Sequence, residues 1–577
     1  MNFGITSDAE RNSSLNPGWP GLLQIVILLT SIMSGGASAV EPGHDLLIET
    51  GRRIYEDGIL PGGDPLLAIR PEGFVMEGIH AACVSCHRRS GMGSIEGNLD
   101  ATILVPPVAG PVLFAPSRFA NSELDTSHHY VPNDAWKRVL TRSAYDEQSF
   151  ARSLRGGLDP DGKRLVAPMP RYNLDDAAIT ALSAYLKQLS SKPAPGIEHD
   201  VLHLATIITP GVPRDQAEGV LGVLRAWADS ARGAGMPWRL QVWQLTGPAT
   251  TWQAQLEKHY RQQPVFAVLS GVGGAQWAPV HSFCEQYHVP CVLPSLEVMP
   301  TEGDKDWYSM YFSPGVGLEA QILARYLDEK RTIQDQSANI IQLYSDASGR
   351  HAAQVLHSSM RSINVSTTDR KFRVTSPRAA LKGVTASDTM VLWLRPGEIK
   401  QLVAELPEGP IAGQVFISAL LSTPEEVSLP DAWKRQVHFV SLFDDLGLQG
   451  EIARHRLERW LEQNSLADNT NRRLQADAYA ASYLFNDALG EIRAQEIRRP
   501  AVPLSREHLL EMMEKLVNKY NDSTGLVNTD SHVAYYGRMS LGPRQRVAVR
   551  GGAIMRYVSP GSSKLSPVGK RIVPRGR

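Results

Sequence analysis

The five residues Cys83-Val84-Ser85-Cys86-His87 decide what the first part of this chain folds around. They form a C-x-x-C-H run, which is the attachment signature of a c-type haem. Each thiol can form a thioether to one haem vinyl group, and the imidazole of His87 then lies next to the iron. Half of a zinc site is the alternative, but zinc needs four ligands, and the two other cysteines lie far along the chain. The sequence therefore predicts one covalent haem c on Cys83 and Cys86.

A methionine that can complete the coordination of the iron follows at Met169. Low-spin cytochrome iron takes a sixth ligand, commonly a thioether. Met169 lies between Pro168 and Pro170, which keep the backbone extended and out of a helix. We therefore expect His87 and Met169 to be the two axial metal ligands. The competing candidates for the sixth position are Met92, His80, His128 and His129.

Helical patterns lie on both sides of these motifs. One apolar face runs from Leu47 to Tyr55 before the haem motif, and another runs from Asp175 to Leu189 after Met169. The order helix, C-x-x-C-H, methionine loop and helix resembles the class I c-type cytochromes over residues 45–190. The resemblance implies an all-α cytochrome c domain whose first and last helices pack together, with Gly51 permitting their close approach. It also implies one-electron transfer, without catalytic residues.

Residues 1–39 have the features of a secretory signal. Residues 20–34 are mostly apolar but too few for a comfortable membrane span, and Ala37-Ser38-Ala39 is an A-x-A-like cleavage site. We expect cleavage after Ala39, a periplasmic protein and no membrane span in the mature chain; retention of the segment as an anchor is the alternative. The formal net charge of −1 gives no indication of a nucleic-acid partner.

A second type of pattern begins after residues 191–200, a linker rich in proline and serine. Apolar strand patterns alternate with amphipathic helices, which predicts a parallel sheet with helices on both faces. Two such runs within 201–557 predict two doubly wound α/β lobes. The first run has strands at 203–208, 238–245, 265–269 and 289–294, and the second at 339–343, 390–394, 415–417 and 437–442. The basic residues 558–577 are expected to be a loose tail.

The motifs of this region occur in a characteristic order, which includes Ser270-Gly271-Val272-Gly273-Gly274 and Tyr311-Phe312-Ser313-Pro314-Gly315. The order resembles the type 1 periplasmic solute-binding proteins, the branched-chain amino acid receptors of ABC transporters. The resemblance implies a ligand held between the lobes, at strand ends and helix N-termini. The residues implied are Ser270, Gly271 and Ser295 from one lobe and Tyr344, Asp346 and Ser348 from the other. Glycines replace the usual serine- and threonine-rich run, which disfavours an amino acid as the ligand.

Two functions follow as hypotheses. The first is a periplasmic mono-haem electron carrier, whose partner is a dehydrogenase or another cytochrome and whose two-lobed domain docks that partner or senses a solute. The second is a solute receptor whose ligand-dependent closure regulates the haem domain. A haem enzyme would need an open iron position, so no enzymatic activity is expected. Cys284 and Cys291 can form a disulfide in an oxidising compartment or remain two buried thiols.

Overall fold

The fold is described from a computed structural model. It describes residues 42–97, 102–120, 139–165, 167–230, 236–301, 303, 305–330, 339–443, 448–468, 471–496, 502–521, 536 and 539–574. The chain divides into the units Met1–Leu46 and Leu47–Arg577. Of the first unit, only residues 42–46 are described, and they begin the first helix. The predicted signal segment therefore lies outside the described residues.

Residues 42–189 combine helices with short antiparallel strands. The helices are α1 (Pro42–Arg52), α2 (Val84–His87), α3 (Gly110–Leu113), α4 (Glu147–Gly156) and α5 (Asp176–Gln188). The strands are β1 (Leu67–Ile69), β2 (Val75–Glu77), β3 (Ser94–Gly97), β4 (Thr102–Val105), β5 (Ser117–Ala120), β6 (Val139–Arg142) and β7 (Arg171–Tyr172). Asp146 and Asp175 accept hydrogen bonds from first-turn N–H groups, which sets where α4 and α5 begin.

The first and last of these helices cross at Gly51. A Cβ atom on Gly51 would lie 2.1 Å from the carbonyl oxygen of Ala181 and 2.7 Å from the Cβ of Tyr185. Only a hydrogen atom fits at this point, so glycine lets α1 approach α5 closely. The rings of Tyr55 and Tyr185 meet beside the crossing, with centroids 5.5 Å apart. The predicted packing of the first helix against the last is therefore confirmed.

The prediction that this region is all-α is wrong in one respect, because β1, β2 and β7 form an antiparallel sheet in the order β2-β1-β7. A tight turn joins β1 to β2, where Gly73 has a φ of 89° and its N–H donates to the carbonyl oxygen of Arg70. Ile69 and Val75 are exposed on these strands. Most of the exposed positions of the hairpin therefore hold apolar residues, so the sequence lacks the alternation of apolar and polar residues that would reveal it.

The first lobe is built on a sheet centred on β9. Its strands are β8 (Ile197–Glu198), β9 (Val201–Ile208), β10 (Trp238–Gln244), β11 (Ala267–Leu269), β12 (Val272–Gly273), β13 (Cys291–Val292), β14 (Ser295–Leu296) and β15 (Ser309–Met310). Its first helices are α6 (Arg214–Ser230), α7 (Trp252–Gln262) and α8 (Ala278–Gln286). The strand order is β14-β12-β9-β11-β13-β15, with β8 and β10 also paired to β9. Every pairing except that of β8 is parallel, as predicted.

The second lobe has the strand order β17-β16-β18-β19-β20-β21-β22. These strands are β16 (Ile340–Tyr344), β17 (Thr367–Lys371), β18 (Thr389–Trp393), β19 (Gln414–Ser418), β20 (Val437–Ser441), β21 (Ala553–Tyr557) and β22 (Leu565–Pro567). Its helices are α9 (Val316–Lys330), α10 (Ala347–Arg361), α11 (Pro396–Glu405) and α12 (Asp431–Lys434). The helices α13 (Leu448–Gln463), α14 (Arg472–Glu496) and α15 (Arg506–Asn521) follow, and α14 packs against α6 and α15. The predicted two-lobed α/β fold is therefore confirmed by the topology.

The chain returns to the second lobe through residues 539–552, here called the return crossover. It runs beside the first passage between the lobes, which follows β15. The N–H of Tyr311 donates to the carbonyl oxygen of Arg546 at 2.9 Å, and the N–H of Ala548 donates to that of Tyr311 at 3.0 Å. The two passages are therefore hydrogen-bonded to each other, so one cannot shift without the other.

Three smaller expectations have clear outcomes. The prediction of a loose tail is wrong for residues 565–567, because β22 pairs with β21 and closes the edge of the second sheet. The predicted linker ends early, since β8 already pairs with β9. Cys284 and Cys291 form a disulfide, with their Cα atoms 6.1 Å apart.

Among the described helices, none has the length and apolar character needed to span a membrane.

Gly51→Ala tests the helix crossing. Its methyl group would clash with the backbone of α5, so we expect a loss of about 1–3 kcal/mol in local stability. Gly156→Ala is the matched control, since a Cβ there meets open space. Hydrogen exchange of the α5 amides measures the effect. Faster exchange in Gly51→Ala alone is expected, and equal exchange in both variants would contradict the crossing.

Candidate functional site

A backbone hydrogen bond fixes the orientation of the His87 imidazole. Its Nδ1 lies 2.9 Å from the carbonyl oxygen of Pro106. A carbonyl oxygen can only accept, so Nδ1–H donates and Nε2 is left for a metal. The side chain is buried, and burial lowers the pKa of His87. Burial therefore favours the neutral imidazole, which is the form that binds metals.

The two cysteines of the motif are free thiols on one helical turn. Burial raises the pKa of the Cys83 thiol to about 12, and a zinc site would need two further ligands beside the two cysteines. The hydroxyl of Ser94 donates to the carbonyl oxygen of Cys86 at 2.9 Å and fixes the end of the turn. Within the described ranges, no group of three or more His, Cys, Asp or Glu side chains could hold a metal ion. The donor set fits thioether attachment of a haem better than a zinc site.

Met169 is half-buried and packs against the hydrophobic core that Cys83 also contacts. The guanidinium of Arg171 donates to the carbonyl oxygen of Met169 at 2.7 Å, which braces the loop. Of the competing ligands, His80 is exposed and Met92 is half-buried. The remaining two, His128 and His129, lie outside the described residues. Met169 stays the predicted sixth ligand.

Charged side chains from both lobes meet where parallel strands end. Glu297 follows β14 of the first lobe, Asp346 follows β16 of the second, and Arg395 follows β18. We call Glu297, Asp346, Ser348 and Arg395 the inter-lobe junction. Ligands of doubly wound folds bind at the carboxyl ends of strands, so the junction lies where such a fold takes its ligand.

The guanidinium of Arg395 bridges the junction. It donates to Glu297 through Nη2 at 2.8 Å and to Asp346 through Nε at 2.8 Å, and the hydroxyl of Ser348 donates to Glu297 at 2.6 Å. Burial lowers the pKa of Arg395, but its hydrogen bond and charge interaction with Glu297 and its contacts with Asp346 outweigh burial and raise it above the usual value. The two lobes are therefore joined by a charge bridge through Arg395.

The residues that the resemblance implied as ligand contacts have different surroundings. Asp346 and Ser348 belong to the inter-lobe junction. Tyr344 is half-buried beneath Arg350, and Gly271 packs against Trp277. Ser270 is 1% exposed, and its hydroxyl has no hydrogen-bond partner among the described residues. As ligand contacts, these residues stay predictions.

The remaining implied residue, Ser295, belongs to a second polar group between α14 and the first sheet. Its hydroxyl donates to buried Asp477 at 2.8 Å, and the hydroxyl of Tyr536 donates to the same carboxylate at 2.9 Å. Burial raises the pKa of Asp477, whereas the charge of Arg473 lowers it.

Glu319 of α9 is the counterpart in the second lobe. Its carboxylate accepts from the hydroxyl of Ser418 and from the N–H of Leu420. Burial raises the pKa of Glu319 to about 8, and Arg473 of the first lobe acts on it in the opposite direction. The buried carboxyl groups of Glu319 and Asp477 therefore both interact with the positive charge of Arg473.

Sequence reasoning missed Glu297, Arg395, Asp477 and Glu319. The first two had a signal, since Arg395 directly follows the strand pattern at 390–394 and Glu297 follows Ser295. Polar residues after parallel strands are candidates for a site at the sheet edge. Asp477 and Glu319 lie inside helices, and only an acidic residue on an otherwise apolar face marks them.

No protein-family model and no curated protein matches this chain. Solved structures similar to this chain include the fatty acid ABC transporter substrate-binding protein from Thermomonospora curvata. The two share 12% identity at a TM-score of 0.46, and the match covers 66% of this chain and 95% of the other. A branched-chain amino acid ABC transporter from Thermus thermophilus with bound valine is similar at 11% identity and a TM-score of 0.46, covering 65% and 97%. A leucine-binding protein from Thermotoga maritima has 12% identity and a TM-score of 0.44, covering 65% and 99%. With TM-scores below 0.5, the two-lobed fold rests on the sheet topology and not on these likenesses.

Glu319→Gln tests the burial of a neutral carboxyl group. The folded pKa of about 8 exceeds the ordinary value of 4.5, so between these pH values the unfolded chain has released a proton that the folded chain keeps. Stability therefore falls as pH rises through this window, by up to about 1.4 kcal/mol per pH unit. Glutamine cannot titrate, so this dependence should disappear in the variant. Urea denaturation at a series of pH values checks it, and parallel curves for the two proteins would refute it.

Proposed function

We propose that the protein is a periplasmic solute receptor that carries a one-electron haem c centre. The observation that supports the receptor function best is the inter-lobe junction, because each lobe supplies charged groups to one place. A solute that binds there makes contacts with both lobes and favours the closed state over the open one. No catalytic residue is proposed.

Arg395→Ala tests the receptor function. Without the guanidinium, Glu297 faces Asp346 with no charge bridge, so we expect the lobes to separate and the radius of gyration to rise. Small-angle X-ray scattering of the full chain measures this change. The matched control is Arg378→Ala, since Arg378 pairs with Glu405 within the second lobe.

A solute that binds between the lobes should then return the Arg395→Ala variant to the smaller radius. A set of amino acids, fatty acids and amines is the probe. An unchanged radius in Arg395→Ala would show that the junction does not control the lobes, and the proposed receptor mechanism would fall.

Electron transfer is the second part of the proposal, and the hydrogen bond from His87 Nδ1 to Pro106 supports it. Cys83 and Cys86 would attach the haem, and His87 Nε2 and the Met169 thioether would be its axial ligands. When bound, the haem supplies a one-electron redox centre. The protein's own contribution is to orient the imidazole through Pro106 and to brace the methionine loop through Arg171. The electron partner would be a periplasmic dehydrogenase or another cytochrome.

Met169→Ala tests the axial pair. The protein is matured in a periplasm that attaches haem c, and its visible spectrum is recorded oxidised and reduced. We expect a low-spin spectrum with a sulfur-to-iron charge-transfer band that is lost in Met169→Ala and kept in the control Met92→Ala. A band that survives in Met169→Ala, or disappears in Met92→Ala, would overturn the assignment of Met169.

A further inference from the structure

One face of α15 contacts three parts of the chain. Glu507, Glu511 and Glu514 follow one another at helical spacing and share that face. Glu507 accepts from the hydroxyl of Tyr308 in the first lobe at 2.7 Å. Glu511 accepts from the N–H of Ser90 at 3.0 Å and also from its hydroxyl. Glu514 pairs with Arg546 of the return crossover.

The contact with Ser90 brings α15 close to the haem motif. Ser90 lies three residues after His87, and its carbonyl oxygen accepts from the hydroxyl of Ser190 at 2.8 Å. The N–H of Gly93 donates to the carbonyl oxygen of His87 at 3.1 Å, so the turn after the histidine is tied back to it. A shift of Ser90 would therefore displace the backbone of His87.

Trp307 joins the same turn to the return crossover. The guanidinium of Arg89 lies 5.1 Å from the ring centroid, and that of Arg546 lies 4.9 Å from it. Trp307 is buried, and its backbone N–H donates to the carboxylate of Glu285 at 2.7 Å, which fixes the residue in the first lobe. The indole therefore contacts a cation of the haem-motif turn and a cation of the crossover. Arg89 is also paired with Glu56 at 3.0 Å.

Arg546 is the group in this arrangement that lobe movement would disturb. It is 4% exposed, and its Nε and Nη2 have no hydrogen-bond partner among the described residues. Glu514 and Trp307 are its main partners. A buried charge with few partners is strongly sensitive to their displacement. The backbone carbonyl oxygen of Arg546 also accepts a hydrogen bond from the N–H of Tyr311 in the first passage, so movement between the passages displaces the Arg546 backbone.

We propose that Arg89 and Trp307 are positioning residues that couple lobe movement at the return crossover to the reduction potential of the haem on His87. The proposal rests on the proposed function. A cation near haem iron favours the reduced state, since the oxidised centre carries one more positive charge. Movement of Arg546 changes the repulsion between its guanidinium and that of Arg89, since both contact the ring of Trp307. This change shifts Arg89 and the turn after His87.

A double-mutant cycle tests the coupling. The midpoint potential of the full-length holoprotein is measured by equilibrium redox titration for wild type, Arg395→Ala, Arg89→Gln and the double variant. We expect Arg395→Ala, which opens a junction outside the haem region, to shift the midpoint potential in wild type and not in Arg89→Gln. Arg89→Gln alone should lower the potential.

Arg142→Gln is the matched control for Arg89→Gln. Arg142 makes a similar contact with the ring of Tyr145, at 4.6 Å, but within the N-terminal region. Arg395→Ala should still shift the potential in an Arg142→Gln background. An equal shift in the Arg89→Gln and Arg142→Gln backgrounds would overturn the role of Arg89.

Two further outcomes are decisive. If scattering shows that Arg395→Ala separates the lobes and the potential does not move, the coupling is refuted while the receptor function stands. If Arg395→Ala does not separate them, Arg546→Lys alters the crossover contact directly, and an unchanged potential refutes the coupling. A protein without a haem spectrum would instead remove the electron-transfer part of the proposed function.

Discussion

The guanidinium of Arg506, at the first residue of α15, is the group on which the arrangement of residues 47–574 depends. It is buried and donates to the carbonyl oxygens of Val265, Phe266 and Pro195 at 2.6, 3.0 and 3.1 Å. It also donates to the carbonyl oxygens of Tyr287 and His288. Loss of such a charged donor leaves several buried acceptors unpaired, each at a cost of about 1–3 kcal/mol. α15 is thereby fixed to the first sheet and to the linker at once.

This constraint gives the rest of α15 its role. Once Arg506 fixes the start of the helix, its acidic face meets Tyr308, Ser90 and Arg546. The haem-motif turn is therefore packed on the receptor lobes instead of being tethered by a flexible linker. A displacement of the lobes at α15 therefore has a short path of contacts to His87.

Local patterns predicted much of the fold. The predicted strands at 390–394 and 437–442 appear as Thr389–Trp393 and Val437–Ser441. Buried parallel strands are short apolar runs, and amphipathic helices repeat every 3.6 residues, so both can be recognised from neighbours in sequence. The C-x-x-C-H run is also local, because its five residues are consecutive, and the haem that it indicates stays a prediction.

The charged contacts between distant segments could not be predicted in this way. Ser90 and Glu511 are 421 residues apart, and no periodicity relates them. Arg395 and Glu297 meet only because two separate sheets turn their strand ends toward each other. The β1–β2 hairpin was not predicted for a different reason. Most of its exposed positions hold apolar residues, so apolar and polar residues do not alternate along its strands.

We propose that Cys83 and Cys86 carry one covalently bound haem beside the two lobes. The most direct measurement is the intact mass of the full-length protein purified from a host that matures c-type cytochromes. We expect the mass of the wild-type protein to exceed that of the polypeptide by one covalently bound haem. No such increase is expected when both Cys83 and Cys86 are replaced by serine. A wild-type protein matured in the same way with the mass of the polypeptide alone would contradict it.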